Sequence, residues 1–222
     1  MKTLIHIDEK IIAPNDAVNL KRVIGKPKIY DLDGNLIAEE ENLVVLNGRE
    51  FLAQKLVGIP NEQEDLTNYK ITYFGIGTGG TSGTPPNTVG PFDTDTELVN
   101  RVKMSTSGIS TSTNDFLYID AGFLKRIESD GSISIGMEEH TINTINGTEN
   151  VAKYTSITFT MYVQKEEPAD KPVRFNEAAL YAVKYTDGGE PTDTKILFAK
   201  FTTLDKYLDL NDGIKIEWSI LV

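Results

Sequence analysis

The chain has no cysteine among its 222 residues, only two histidines and a single tryptophan. Without Cys it can form neither a disulfide framework nor a thiolate metal site, and it has no cysteine nucleophile; this absence fits synthesis in a reducing cytoplasm. His6 and His140 make no His-x-x-x-His pair, so a transition metal would need several carboxylates around one imidazole, which the spacing does not offer. No segment approaches the ~20 apolar residues that span a bilayer, and the opening "MKTLIHIDEKIIAPND" lacks the apolar core of a signal peptide. The expectation is a soluble globular protein with no membrane partner, in which the sequon at Asn146 is a chance match. Basic residues are in deficit: 22 Lys and Arg against 33 Asp and Glu give a net charge of -11. A phosphate backbone would be repelled and no basic cluster overrides that field, so no nucleic-acid partner is expected. There is no G-x-S-x-G to single out a serine, and pairs such as Glu138 and Glu139 are ordinary surface composition. No catalytic constellation emerges, and the expectation is not an enzyme.

What is present is material for a core. Hydrophobic residues make up 39% of the sequence, with 9 Phe and 9 Tyr, and a chain of this length buries about 70% of its unfolded surface. "SITFTMYV" sets Ile157, Phe159, Met161 and Val163 on one face of a strand, and "GIKIEWSILV" does the same with Ile214, Ile216, Trp218, Ile220 and Val222 up to the last residue. "DFLYIDAGFLKRI", "SISIGM", "NEAALYAVKY" and "KILFAKFTTL" are further strands joined by polar turns. In "NGREFLAQKLVGIP", Leu52 and Leu56 at i and i+4, a capping Asn47, Gly58 and Pro60 predict one short helix laid on a sheet. Asp33-Gly34 predicts a tight hairpin with positive φ at the glycine. The fold class is therefore mainly β: an antiparallel sandwich or barrel-like body with one short helix and an extended N-terminal arm. Residues 1–42 form the arm and hairpin, and 43–222 the β-rich body.

Three stretches suggest ligand chemistry. "GIGTGG" holds a literal G-x-G-x-x-G at Gly75, Gly77 and Gly80, but a dinucleotide fingerprint also needs a helix whose amides face the pyrophosphate. The residues that follow, "TSGTPPN", break helices, so the glycines are expected to end a strand and turn the chain, and no cofactor is expected. "DTDTE" sets Asp93, Asp95 and Glu97 at alternate positions, where three parallel carboxylates could hold Ca²⁺ or Mg²⁺. The competing interpretation is a solvated acidic turn whose Asp or Thr caps a helix carrying Leu98 and Val99. Asp31, Asp33 and Asn35 resemble the start of a calcium loop, but Gly34 falls at the fourth position instead of the sixth and Asn42 occupies the twelfth, where a bidentate Glu belongs. Among aromatics, Phe74, Phe116, Tyr118, Phe123, Phe159, Phe198 and Trp218 are core candidates, whereas Tyr73, Tyr162 and Tyr181 are candidates to face outward at a subunit interface.

Four stretches in fixed order, "LVVLNGREFLAQKLVG", "ITYFGIGTGGTSGTPPNTVGPFDTDTELVNRV", "RFNEAALYAV" and "KILFAKFTTLDKYLDLNDGIKIEWSILV", resemble a recurrent module of tailed-bacteriophage virion proteins, found in tail fibres, baseplates and collars. The resemblance covers residues 43–222; the arm and the longer glycine loop at 79–91 depart from it. It implies a non-enzymatic structural component of a tailed-phage particle, made and assembled in the host cytoplasm and residing in the virion. Such a component self-assembles around a symmetry axis, with copies of itself and other virion proteins as partners. The alternatives are a module binding host-surface glycan, or a capsid decoration protein. Contacts between subunits are expected from Ile5, Ile7, Ile11 and Ile12 in the arm and from Thr78, Pro85, Pro86 and Phe92 in the loop.

Overall fold

The structure, a computed structural model, describes residues 5–7, 10–12, 25–60, 64–85, 87–102, 116–119, 122–127, 132–143, 149–164, 173–208 and 213–221. Strict alternation governs two neighbouring strands of one sheet. In β15 (Ile214–Leu221), Ile214, Ile216, Trp218 and Ile220 are buried while Lys215, Glu217 and Ser219 are half-buried. In β12 (Glu149–Val163), Phe159, Met161 and Val163 are buried against partly exposed Thr158, Thr160 and Tyr162. These two strands pair antiparallel, with Phe159 opposite Trp218, so their apolar faces coincide. Together with β11 (Ile133–Asn143), β3 (Gly25–Tyr30) and β4 (Leu36–Glu39) they form a five-stranded sheet in the order β11-β12-β15-β3-β4.

The opposing sheet has six strands, ordered β5-β14-β13-β6-β10-β9: β5 (Asn42–Val44), β14 (Pro191–Leu208), β13 (Val173–Tyr185), β6 (Tyr69–Gly77), β10 (Gly122–Arg126) and β9 (Phe116–Ile119). Every pairing is antiparallel, and both sheets end in unjoined edge strands, so the body is an open sandwich and not a closed barrel. The interior holds Trp218 against Phe201, with ring centroids 4.9 Å apart and planes at 71°, and Phe201 against Phe175. Edge-to-face geometry of this kind adds to plain area burial. Two small hairpins stand apart: β1 (Ile5–Ile7) with β2 (Lys10–Ile12), and β7 (Thr81–Ser82) with β8 (Asn87–Thr88).

The helix α1 (Leu46–Val57) forms where the sequence places it and stops at Gly58, whose φ of 66° is left-handed. Its details differ. Val45 is the N-cap and makes no side-chain cap bond, so Asn47 does not cap it. The buried face is Gly48, Phe51 and Gln54, with Leu52 partly buried, whereas Leu56 is 88% exposed. The reason is the close approach of α1 to β14. A Cβ on Gly48 would lie 2.1 Å from the Phe198 carbonyl oxygen, and Phe51 meets the Phe198 ring edge-on at 5.9 Å. That contact rotates the Leu56 side of the helix outward.

The Asp33-Gly34 hairpin joins β3 to β4, with Gly34 at φ 90° and the Asp31 carboxylate accepting from the Asn35 backbone and side-chain amides. These bonds, the side-chain one first, hold the Asp31 carboxyl below its usual pKa, and they answer the calcium-loop alternative with a turn. Because β3 pairs with β15 inside the sheet, this hairpin is part of the body, and a division at residue 43 falls within β5. Among the described residues of 1–42, the strands β1 and β2 belong to neither large sheet.

Candidate assembly surface

The six-stranded sheet is buried on both faces, which alternation alone did not predict. Its inner face meets the five-stranded sheet. Its outer face carries Tyr73, Leu124, Ala179, Tyr181, Val183, Tyr185 and Leu197, which cluster with Val45 and Leu98. Tyr73 and Tyr181, expected to face outward, are wholly buried, and only Tyr162 is exposed, at 36%. Their cover is the glycine-rich excursion, which leaves β6 at Gly77 and returns over the sheet with Leu98 buried.

The glycines let this excursion lie flat. A Cβ on Gly80 would stand 1.9 Å from the Asn176 carbonyl oxygen, and one on Gly77 would stand 2.4 Å from the Glu177 carboxylate, so neither position has room for a side chain. After Gly80 come the β7–β8 hairpin and turns, with no helix to present amides to a phosphate. The stretch around Leu98 and Val99 is likewise irregular where a helix was one expectation; the Tyr181 hydroxyl accepts from Leu98 N at 3.3 Å, and Gly77 bridges Arg101 instead.

Charge fixes the excursion in place. Glu177 on β13 is fully buried, and its Oε1 accepts from Gly79 N at 3.0 Å and Asn100 N at 3.1 Å, tying both limbs of the loop to one carboxylate. Lys200 on β14, its side chain 4% exposed, sets Nζ 3.0 Å from Glu177 Oε2 and 3.2 Å from Asp95 Oδ2. Its approach to Oε2 lies off good hydrogen-bond direction, so that contact is chiefly coulombic. Asn176 Oδ1 accepts from Gly80 N at 2.7 Å.

The "DTDTE" carboxylates all face cations of the protein. Asp93 meets Arg49 Nη2 of α1 at 3.3 Å and Asp95 meets Lys200, while Glu97 pairs with Lys195 and, at 3.9 Å, with Arg101. Tyr181 donates to Glu97 Oε2 at 3.1 Å; burial, and then the Glu97 charge, push its hydroxyl pKa well above the ordinary value. Among the described residues no group of three His, Cys, Asp or Glu is placed to hold a metal ion. As a candidate metal set, Asp93, Asp95 and Glu97 are thus dispersed among separate cationic partners.

The side chains that sequence reasoning missed are Arg49, Glu177, Lys195 and Lys200. The signal was present: Glu177 in "NEAALYAV" and Lys200 in "LFAKF" are lone charges in apolar strand runs, and such charges persist in a core only when paired.

Held this way, the excursion displays apolar side chains to solvent. Phe92 is 61% and Val99 67% exposed, and Leu46, whose N–H donates to the Asp93 carbonyl at 2.9 Å, is 50% exposed. Pro85 is also exposed, Thr78 is half-buried and donates its N–H to Asn100 O, and Pro86 lies outside the described residues. Ile5, Ile7, Ile11 and Ile12 lie in the β1–β2 hairpin, where Ile5 registers with Ile12 and His6 with Ile11; their side chains, and those of Phe116, Tyr118 and Phe123, fall outside the described ones. No protein-family model, curated protein or solved structure matches the chain.

Proposed function

We propose that the protein is a non-enzymatic structural component of a tailed-phage particle, self-associating around a symmetry axis in a tail, baseplate, collar or fibre attachment. One observation carries the proposal. Each of the four stretches that resemble virion modules contributes a charged residue to the same set of contacts: Arg49 from the first, Asp93, Asp95 and Glu97 from the second, Glu177 from the third, and Lys195 and Lys200 from the fourth. Motifs scattered over the sequence therefore share one set of contacts, which anchors an irregular loop with Phe92 and Val99 exposed. An anchored apolar display suits docking between proteins, because little side-chain and loop entropy is lost on contact.

The test is assembly. Removing residues 1–24 is expected to abolish incorporation into particles while circular dichroism of the purified chain stays that of a β protein. Unchanged incorporation would eliminate the arm's part in the proposal. A monomer at every concentration by light scattering, with no uptake into particles, would overturn the whole.

A further inference from the structure

Four strands end the two large sheets, and they are unequal. β5 has 3 residues and β4 and β9 have 4 each, short edges of the kind that discourage pairing, whereas β11 has 11. Register with β12 places Ile133 opposite Phe159, Ile135 opposite Ile157 and Met137 opposite Thr155. Paired residues share a face, so these three stand on the side that faces the core, where Phe159 is buried and Ile157 packs against the interior. Yet they run off the end of the cover: Ile133 is 38%, Ile135 75% and Met137 67% exposed. Among the described residues the longest edge is thus unpaired along its backbone and apolar on its inner face from Ile133 to Met137, and natural edge strands are normally protected against that combination.

The arm has the opposite problem. Among the described residues β1 and β2 are three-residue strands paired only with each other, and a hairpin of that size is marginally stable at best in water. Its sequence "IHIDEKII" is isoleucine-rich. Residues 13–24 between it and β3 can stretch to about 40 Å, while Gly25 sits in the same cross-sheet row as Ile220, Ile157 and Ile135, a span of about 15 Å at ordinary strand spacing. The arm's own β11 is within reach, yet the hairpin is not paired with it.

We infer that the β1–β2 arm of one copy adds to the β11 edge of the next. Main-chain hydrogen bonds would extend the five-stranded sheet, and the arm's isoleucines would cover Ile135 and Met137. Augmentation of this kind gains affinity from backbone pairing and selectivity from alternate side chains. The contact joins two different surfaces, so repeated from copy to copy it is heterologous, giving a ring where the rotation between copies closes and a filament where it does not. This inference rests on the self-association proposed above and names the surfaces that make it.

The lack of native cysteine gives a clean test. Full-length Ile7→Cys and Ile135→Cys chains are co-expressed, mildly oxidised and separated without reductant, and the linked peptides are identified by mass spectrometry. The expected main product is a disulfide joining the two chains, absent when Leu56→Cys replaces Ile135→Cys. Met137→Cys serves if Ile135→Cys fails to fold. A yield no higher than with Leu56→Cys overturns the inference, as does a double variant that links within a single chain at high dilution. Light scattering of the unaltered protein separates the two levels of failure. Multimers without the arm link leave self-association standing, and a monomer at all concentrations removes both.

Discussion

The two faces of the six-stranded sheet are covered by different means. The inner face meets another sheet through Phe175, Phe198, Phe201 and Trp218, interlocking rings that need no particular charge. The outer face meets an irregular loop, and because a loop cannot satisfy its backbone groups in a ladder, buried side chains take over: Glu177 for Gly79 and Asn100, and Asn176 for Gly80. The apolar face needs shape and volume. The polar face needs particular atoms at particular distances, those that anchor Gly79, Gly80 and Asn100.

Five substitutions would break or sharpen that contrast. The largest effect is expected from Lys200→Met, which leaves Glu177 buried without its cation; breaking such a pair costs about 3–5 kcal/mol, measurable by urea unfolding. The double variant with Glu177→Gln should recover part of the loss, since the fully buried charge is gone and only the less buried Asp95 is left without its cation. Phe198→Ala tests the other face, with a cost of about 3–5 kcal/mol from the cavity and no rescue from changes at Glu177. Equal rescue in both backgrounds would show that the two faces are not separate adhesives. Gly80→Ala should cost about 1–3 kcal/mol by overpacking against the Asn176 carbonyl, and it should speed amide exchange at Val89, which donates to Gly80 O, more than at Trp218. Unchanged exchange would mean that the loop is not seated by this close approach.

The smallest change at neutral pH is expected for Tyr181→Phe, about 1 kcal/mol for the lost bonds to Glu97 and Leu98. Its signature is alkaline. The folded-state pKa of Tyr181 is raised, so its contribution is complete below the unfolded value near pH ~10 and is lost as pH rises beyond it. The wild type should therefore lose stability more steeply than the variant above that pH. Tyr69, raised by burial and by its bond to Glu64, leaves a residual slope in both. Parallel slopes in urea titrations would show that Tyr181 does not titrate differently on folding.

Legibility followed the range of the interactions involved. The strands around Ile157, Phe159, Met161 and Trp218 were readable because a period of two is a property of neighbours. The helix was readable from Gly58 and Pro60, but its buried face was not, because contact with Phe198, far along the chain, set its rotation. Tyr73 and Tyr181 were misplaced for a related reason. Alternation shows that two faces differ, and the cover on the second face comes from a segment with no periodicity at all. In the candidate surface, Asp93, Asp95 and Glu97 stood out by spacing, but their cations lie on α1 and β14, at positions that no local pattern joins to them.

By itself the sequence determined an antiparallel β body with one short helix, a glycine run unsuited to a dinucleotide, and a chain with no cysteine to cross-link or ligate. Only the tertiary structure decided that the acidic turn neutralises Arg49, Lys195 and Lys200, that the six-stranded sheet is buried on both faces, and that β11 is the longest unpaired edge among the described residues. The physical reason is distance along the chain. Strand periodicity and turn chemistry act between residues a few positions apart, whereas ion pairing, burial of a second sheet face and the placing of an edge depend on which distant segments the fold brings together.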